Sequence, residues 1–176
     1  MSPKVFLLKG DITTLKVDCI VNSANKSLLA GSGVSGAIHR KAGKELEKEC
    51  KSMGFCDVGE AVITKGYGLP VKHLIHTVGP VFGKESGKEA ALLSKCYRSS
   101  LKLAEKHHLS SIAFPSISTG HHNFPNKIAA KVVAQVLLDC LKKSNRSIKE
   151  IFMVAYSQDD FSIYERAFKQ MGLLGD

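Results

Sequence analysis

The residues best suited to chemistry lie between positions 22 and 36, where asparagine and glycine are concentrated. They read Asn22-Ser23-Ala24-Asn25 and then Gly31-Ser32-Gly33-Val34-Ser35-Gly36. An apolar run precedes them and a helical pattern follows, which gives the order strand, turn, glycine loop, helix. Glycine allows the backbone to approach a ligand closely, and the free N–H groups at a helix start attract anions. The segment therefore predicts a phosphate-binding loop.

The same letters spell G-x-G-x-x-G, the fingerprint of dinucleotide-binding folds, but their context does not fit that motif. In those folds the glycines follow the first strand directly, and an acidic residue ends the second strand about 20 residues later. Here an asparagine-rich turn intervenes, and Asp57 lies within residues 54–59, which are typical of a turn. A glycine loop that only reverses the chain is the remaining alternative.

Polar or glycine-bearing segments also follow apolar runs elsewhere, at residues 10–12, 115–124 and 156–160. In sheets built from parallel strands, ligands bind in the crevice outside the carboxyl ends of the strands. Folding alone does not require so many segments of this kind, so the pattern favours a ligand-binding cleft.

The elements that must position these segments alternate between strand and helix. Short apolar runs predict strands at residues 5–8, 18–22, 61–64, 73–78, 111–114 and 151–156. Apolar positions that repeat every three or four residues predict helices at residues 34–53, 89–108, 126–143 and 162–171. We therefore expect an α/β fold, a three-layer α/β/α sandwich with a mixed, largely parallel central sheet of about six strands. Without an internal repeat or a linker, residues 1–176 are expected to form a single domain.

The composition is that of an ordinary globular protein, since hydrophobic residues make up 44% of its 176 residues. No apolar run approaches the roughly 18 residues that a membrane span needs, and the N-terminus has no signal-peptide core. The five cysteines are scattered and never in C-x-x-C spacing, which argues against disulfides and zinc sites. We expect a cytoplasmic protein, or a nuclear one in a eukaryote, without membrane contact.

The formal net charge of +9 has two interpretations. Such an excess favours polyanionic partners, among them nucleic acid and phosphorylated ligands. Lysines that coat the solvent faces of helices are the simpler explanation, because many of them recur at that spacing. The sequence has no tryptophan and no basic strip interleaved with aromatic residues, so we do not expect a nucleic-acid partner.

The histidines do not predict a metal site. His73 and His76 lie three apart on a predicted strand and therefore point to opposite faces of it. His107 and His108 lie at a predicted helix end, where they suit the helix dipole. None of them combines with cysteine or acidic residues at metal-ligand spacing, so no metal is predicted.

Several blocks of the sequence resemble the signature motifs of macrodomains, in the order and at the spacing of that family. They are residues 10–13, 21–25, 33–38 and 116–120, with residues 66–70, 75–80 and 113–115 between them. The resemblance covers residues 4–170 and is greatest to the MacroD type. It implies ADP-ribose binding, with hydrolysis of mono-ADP-ribose from acidic side chains or deacetylation of O-acetyl-ADP-ribose. The implied partners are ADP-ribose and mono-ADP-ribosylated proteins, and we expect a monomer without a cofactor.

The resemblance implies an adenine subsite built from opposite ends of the chain. Asp11 would accept from the adenine amino group, the Ile12 N–H would donate to the ring, and Tyr156 would stack on the base. Stacking of a base on an aromatic side chain contributes roughly 1–3 kcal/mol. The alternatives are that Asp11 caps a turn or helix and that Tyr156 belongs to the core.

It also implies that two segments bind the diphosphate with backbone N–H groups rather than with positive side chains. The ligand-binding residues of these segments are Ala24, Gly33, Val34, Ser35, Gly36, Ser116, Ser118, Thr119, Gly120, His121, His122, Asn123 and Phe124. Asn25 would hydrogen-bond the distal ribose and orient a water beside its anomeric carbon. An asparagine that only stabilises a turn is the alternative.

The sequence departs from the family's pattern at Ser35 and in the second loop, where His121 replaces an aliphatic residue and two further positions differ. Ser35 stands where MacroD-type enzymes usually carry an aspartate that acts on the attacking water, and serine is a poor base near neutral pH. His122 replaces an aromatic residue that covers the distal ribose, where an imidazole can stack and titrate. Asn123 replaces a glycine, and asparagine is the other residue that best tolerates the left-handed region. The predicted catalytic residues are Asn25, Ser35 and His122, although a surface histidine without a role is the simpler interpretation of His122.

Three functions are therefore open. The first, which we expect, is a hydrolase slowed by Ser35, since a general base contributes about 10²–10⁴-fold to a rate. The second is a reader module within a larger protein that binds ADP-ribose without turnover, and the serine favours it. The third is a nucleic-acid binder that uses the net charge of +9.

Overall fold

A six-stranded sheet forms the centre of the computed structural model, which describes residues 1–143 and 146–174. Its strands are β1 (Lys4–Lys9), β2 (Cys19–Ala24), β3 (Ala61–Lys65), β4 (His73–Val78), β5 (Ser111–Phe114) and β6 (Glu150–Ala155). Their order across the sheet is β1-β6-β5-β2-β4-β3. Neighbours are parallel except for β3, which pairs antiparallel with β4. The predicted mixed, largely parallel sheet is confirmed.

Helices cover both faces of this sheet. In the described ranges they are α1 (Gly33–Ala42), α2 (Lys44–Met53), α3 (Glu89–Lys106), α4 (Asn126–Leu141) and α5 (Gln158–Gln170). Ile38 and Leu46, from α1 and α2, belong to one apolar cluster, while Leu93, Val133 and Phe168, from the other three helices, belong to a second. All five side chains are fully buried, and each contributes about 1.5–3 kcal/mol by leaving water. The predicted three-layer sandwich is confirmed.

The predicted single helix at residues 34–53 is wrong, because Gly43 divides it into α1 and α2. Its N–H donates to the carbonyl of His39 at 3.0 Å, and its own carbonyl accepts from the Leu46 N–H at 3.2 Å. Its φ of 94° is in the region that favours glycine. One glycine therefore ends the first helix and begins the second.

Two further boundaries differ from the prediction. Strand β2 continues to Ala24, which pairs with Val78 of β4, so the sheet ladder extends into the asparagine-rich segment. Helix α5 begins at Gln158, before the predicted residue 162. The Ser157 hydroxyl caps it by accepting from the Asp160 N–H at 3.1 Å, which satisfies a donor that would otherwise lack a partner.

The carboxyl ends of the parallel strands lie along one edge of the sheet, in the order β1, β6, β5, β2, β4. We call it the carboxyl edge. The segments at residues 10–12, 156–157, 115–124 and 25–32 all follow strands that end there. The predicted polar segments therefore share a single edge, whereas the connection between β3 and β4, residues 66–72, lies at the opposite one.

All five cysteines are buried as free thiols. Burial raises the pKa of Cys19 to about 12 and of Cys50, Cys56 and Cys96 to about 11, and it also raises that of Cys140. In residues 1–143 and 146–174, every helix is too short or too polar to cross a bilayer. The same residues contain no group of three or more histidine, cysteine or acidic side chains that could hold a metal.

Candidate ligand-binding site

A cavity of about 240 Å³ opens at the carboxyl edge, between the segments that follow β2 and β5. Its lining residues are Ser23, Ala24, Asn25, Gly31, Ser32, Gly33, Val34, Ser35, Ser116, Ser118, Gly120, His121 and His122. No lysine, arginine or acidic side chain is among them in the described part of the chain. Such a cavity can hold an anion through backbone N–H groups and hydroxyls rather than through ion pairs.

The first wall, residues 23–35, is a backbone structure built around the start of α1. The N-cap residue Ser32 makes no side-chain hydrogen bond, and the first helical bond runs from the Gly36 N–H to its carbonyl at 3.4 Å. The N–H groups of residues 33–35 therefore lack partners within the helix. Gly36 is explained by packing, because a Cβ there would lie 2.6 Å from the carbonyl oxygen of Gly31.

Asn25 and Ser35 in this wall use their polar atoms differently. Asn25 donates from Nδ2 to the carbonyl of Leu29 at 3.0 Å and accepts at Oδ1 from the Ser27 hydroxyl at 2.7 Å. It therefore stabilises the turn, its alternative role, while also lining the cavity. Ser35 is only 5% exposed, and its hydroxyl has no partner among the described residues. Since a buried polar group without a partner costs about 1–3 kcal/mol, this hydroxyl favours binding of a water or a ligand.

The second wall, residues 115–124, contains backbone conformations that are rare for residues other than glycine. Ser118 has a φ of 66° and Asn123 a φ of 58°. The Asn123 N–H donates to the carbonyl of Gly120 at 3.0 Å, and the Phe124 N–H donates to that of Ser118 at 2.9 Å, which closes a tight turn. The tolerance of asparagine for this region explains how Asn123 can replace a glycine.

Two fully buried tyrosines anchor the second wall from inside the fold. The hydroxyl of Tyr164, in α5, lies 2.6 Å from that of Ser116. The hydroxyl of Tyr97, in α3, donates to the carbonyl of Pro115 at 3.2 Å and accepts from the Ile117 N–H at 3.3 Å. Burial raises the pKa of both tyrosines well above the usual range, so both stay neutral and keep their donor protons.

Gly79, directly after β4, packs beneath the same wall. A Cβ at this position would overlap the hydroxyl of Ser118 and the side chain of Ile117. Ser118 is 5% exposed, and its hydroxyl has no partner among the described residues. The close approach of two backbones, rather than a turn, therefore requires this glycine.

The predicted adenine residues lie further along the carboxyl edge, after β1 and β6. Lys9 and Ala155 are the last paired residues of these strands, so Asp11 and Tyr156 follow neighbouring strand ends. Asp11 caps a 3-10 turn, because one of its carboxylate oxygens accepts from the Thr13 N–H at 2.9 Å and from the Thr13 hydroxyl at 2.7 Å. These two bonds lower the pKa of Asp11. Tyr156 is 83% exposed and is therefore not a core tyrosine.

Comparison with known proteins assigns this arrangement to a family. The Macro domain family profile matches residues 21–133, a range that includes both walls of the cavity. The chain belongs to the macro domain family. The family predicted from the sequence motifs is thus confirmed.

This macro domain is 44% identical over 177 residues to the human ADP-ribose glycohydrolase MACROD2. The aligned region covers 100% of this chain and 42% of the human protein. It is 48% identical over 163 residues to a macro domain-containing protein of Chlorobaculum tepidum, covering 93% of this chain and 94% of that protein. A mutant macrodomain of Oceanobacillus iheyensis, solved with ADPR, matches with a TM-score of 0.90 at 40% identity, covering 94% of this chain and 91% of the other. The chain thus spans less than half the length of the human relative.

The cavity of the macro domain brings together only part of the predicted site, namely Ala24, Asn25, Gly33, Val34, Ser35, Ser116, Ser118, Gly120, His121 and His122. Outside its lining lie Asp11, Ile12, Gly36, Thr119, Asn123, Phe124 and Tyr156. The Thr119 hydroxyl lies 2.7 Å from that of Ser116 and so belongs to the internal bonds of the second wall. Ser23, Gly31 and Ser32 line the cavity although they are absent from the predicted site. Their position within the same two motifs was the signal that could have identified them.

His122 is partly buried in the second wall of the macro domain. Its backbone carbonyl accepts from the Phe82 N–H at 2.8 Å. Its Nδ1 is buried and has no partner among the described residues. The simpler interpretation of His122 is a surface histidine without a role, but the side chain is partly buried. Within the described part of the chain, one nitrogen of its ring is free to make a hydrogen bond with a ligand or a water.

A buried polar network behind the first wall has no counterpart in the sequence prediction. The Asn22 amide donates to Nδ1 of His76 at 3.1 Å, and Nε2 of His76 lies 2.9 Å from the Thr64 hydroxyl. Because an amide NH₂ can only donate, Nδ1 accepts and Nε2 carries the proton. Burial lowers the pKa of His76 to about 3. Burial also lowers the pKa of His39, which lies one turn after Ser35 in α1 with its ring 6.4 Å from that of His76.

Proposed function

We propose that this macro domain binds ADP-ribose along the carboxyl edge and removes mono-ADP-ribose from acidic side chains, or the acetyl group from O-acetyl-ADP-ribose. The observation that carries the proposal is the cavity between two walls of backbone N–H groups and small polar residues, at the carboxyl ends of β2 and β5. The name of the human relative and the ADPR in the bacterial structure support the same ligand class.

The adenine would lie at the β1 and β6 end of the edge. Asp11 would accept from the amino group with the carboxylate oxygen that does not cap the turn, and the Ile12 N–H would donate to the ring. Tyr156 supports this role because its exposed ring can stack on a base, which contributes roughly 1–3 kcal/mol.

The diphosphate would lie between the two walls. The N–H groups of residues 33–35 would donate from one side, where the dipole of α1 adds to the attraction. The backbone of residues 118–122 would donate from the other side. The absence of lysine and arginine from the described lining supports a cradle of amide dipoles.

Hydrolysis would occur at the distal ribose. Asn25 would orient a water beside the anomeric carbon, Ser35 would accept a hydrogen bond from that water, and His122 would cover the sugar. For a modified protein, the water oxygen bonds to the anomeric carbon as the bond from that carbon to the carboxylate oxygen breaks, and a proton of the water passes to the departing carboxylate. For O-acetyl-ADP-ribose, the water would instead add to the acetyl carbon, acetate would leave, and the ribose oxygen would keep a proton. The unpartnered Ser35 hydroxyl supports a water at this position.

We also propose that the chain acts as one macro domain, as a monomer in the cytoplasm, on mono-ADP-ribosylated proteins. Nucleic acid is not among the proposed partners, because neither lysine nor arginine lines the cavity in the described residues.

Isothermal titration with ADP-ribose tests the proposal. We expect one site per chain, weaker binding of AMP, and a loss of affinity in Asp11→Ala that Asp11→Asn reproduces only in part. The asparagine variant is the matched control because its side-chain oxygen can still cap the 3-10 turn. Equal affinity of wild type and Asp11→Ala would exclude the adenine subsite, and no binding at all would exclude the function.

A reader module that holds ADP-ribose without turnover is the second candidate. The observation that favours it is Ser35, whose hydroxyl cannot act as a general base near neutral pH. Incubation with a protein mono-ADP-ribosylated on glutamate separates the two. Release of ADP-ribose in proportion to enzyme concentration supports the hydrolase, whereas tight binding without release over hours supports the reader.

A further inference from the structure

Two exposed phenylalanines, Phe55 and Phe82, have no role in the proposed chemistry. Phe55 is 60% exposed and Phe82 is 43% exposed. Phe55 lies in the segment between α2 and β3, and Phe82 lies in the segment after β4. A single exposed apolar side chain is ordinary. Whether these two indicate a binding surface depends on where the backbone places them.

The backbone places Phe55 beside the first wall of the cavity. The N–H of its neighbour Cys56 donates to the carbonyl of Lys26 at 2.9 Å, and Lys26 directly follows the lining residue Asn25. Two further apolar side chains are each 37% exposed, Leu29 in the segment after β2 and Met53 at the end of α2. Apolar surface is therefore concentrated next to the end of the cavity where Asn25 lies.

Phe82 is held to the second wall in a similar way. Its N–H donates to the carbonyl of the lining residue His122 at 2.8 Å. Its ring packs edge to face on the buried Phe124, with centroids 5.3 Å apart. The backbone of Phe82 is thus bonded directly to the second wall, whereas Phe55 is tied to the first wall through the N–H of its neighbour Cys56.

The order of the strands indicates toward which strand the distal ribose of the ligand would point. Adenine at β1 and β6, followed by the diphosphate at β5 and β2, points the distal ribose toward β4. The segments of Phe55 and Phe82 adjoin the carboxyl end of β4, since Gly59 donates to the carbonyl of Val78 at 2.8 Å and Phe82 follows shortly after Val78. A group attached to the distal ribose would therefore leave the cavity near these two segments.

We infer that Phe55 and Phe82 form a docking surface for the polypeptide that carries the modified acidic residue, an inference that rests on the proposed function. Aromatic side chains are enriched in surfaces that bind polypeptides, and the backbone segments of both phenylalanines are bonded to the walls of the cavity. Free ADP-ribose ends at the distal ribose, and O-acetyl-ADP-ribose adds only an acetyl group. Neither extends to this surface, so it selects modified protein over the small molecules.

The test compares ligands in Phe55→Ser and Phe82→Ser. We expect KM for a protein mono-ADP-ribosylated on glutamate to rise about three- to tenfold, as truncation of a central interface residue commonly does. The Kd for ADP-ribose and the kcat/KM for O-acetyl-ADP-ribose should stay at the wild-type values. If the wild type shows no turnover, the Kd for the modified protein replaces KM.

Tyr67→Ser is the matched control, because Tyr67 is 39% exposed in the connection at the opposite edge of the sheet. It should leave all three ligands unaffected. If the serine variants lost affinity for modified protein and for ADP-ribose in equal proportion, or for neither, the docking surface would be overturned. The proposed function would remain intact. A wild type that binds no ADP-ribose would remove both. A dimer that dissociates in Phe55→Ser would overturn the inference by assigning the surface to a second copy of the chain.

Discussion

The two walls of the cavity achieve the same shape by different means. The first wall consists of backbone in close contact, as between Gly31 and Gly36, and behind it lies the buried imidazole of His76. The second wall is held by hydroxyls of Tyr97 and Tyr164, which stay neutral because burial raises their pKa. The first wall should therefore respond to charge and to pH, and the second to changes in packing and in single hydrogen bonds.

Ser35→Asp should have the largest effect, and it changes the charge of the first wall. A carboxylate at this position supplies the missing base and is stabilised by the start of α1, so the rate of hydrolysis should rise about 10²-fold or more. ADP-ribose affinity should stay near the wild-type value in isothermal titration. Ser35→Asn, which adds bulk without a base, is the control. An equal rate in both variants would show that this position does not limit hydrolysis.

Gly79→Ala should have the next largest effect, through the packing of the second wall. The added Cβ overlaps the Ser118 hydroxyl, and overpacking of this kind costs about 1–3 kcal/mol. We expect a lower urea midpoint and about tenfold weaker ADP-ribose binding, because the wall must move. Gly10→Ala is the stability control, since no atom lies within 4 Å of a Cβ there. Unchanged affinity in Gly79→Ala would separate this glycine from the site.

Acidification should destabilise the region behind the first wall. Burial lowers the pKa of His76 from 6.5 to about 3, so between these values the unfolded chain binds a proton that the folded chain does not. The free energy of unfolding therefore falls as the pH falls, by about 1.4 kcal/mol per pH unit below about pH 6.5. His39, whose pKa burial also lowers, acts in the same direction.

Urea denaturation at pH 7 and pH 5.5 measures this effect, which His76→Gln should reduce. Glutamine can still bond Asn22 and Thr64 but cannot titrate. If the unfolding free energy of His76→Gln depended on pH as strongly as that of the wild type, other groups would be responsible for the effect.

Tyr164→Phe should have the smallest effect, since it removes one hydrogen bond of the second wall. Loss of the bond to Ser116 should cost about 1 kcal/mol of unfolding free energy and weaken ADP-ribose binding by severalfold. Tyr67→Phe, at the opposite edge, provides the comparison. If Tyr164→Phe lowered stability but not affinity, the tyrosine would support the core alone.

The sequence predicted the first wall better than the second for a physical reason. The glycines and the helix start of residues 31–36 are local signals, and so is the asparagine at position 123, which adopts a positive φ. Ser118 carries no such signal, although its φ is also positive. It packs against Gly79, and the tyrosine hydroxyls bond the three residues before it, so its surroundings come from other elements of the chain.

Side-chain contacts between distant elements explain the other omissions. Tyr97 and Tyr164 have the spacing of core residues in amphipathic helices, and nothing local indicates that their hydroxyls bond the segment after β5. The network of Asn22, His76 and Thr64 likewise depends on the pairing of three strands. Gly43 is the exception, because a glycine inside a helical pattern was a visible signal of the break that the prediction omitted.

The burial of every cysteine has a practical consequence for labelling. Alkylating reagents attack the thiolate, and thiols with a pKa of about 11 to 12, such as Cys50 and Cys19, are almost wholly protonated near neutral pH. A cysteine introduced on the exposed face of the molecule would therefore be the fastest to react with a maleimide dye. We therefore expect fluorophores to attach to the introduced cysteine before they attach to the native thiols.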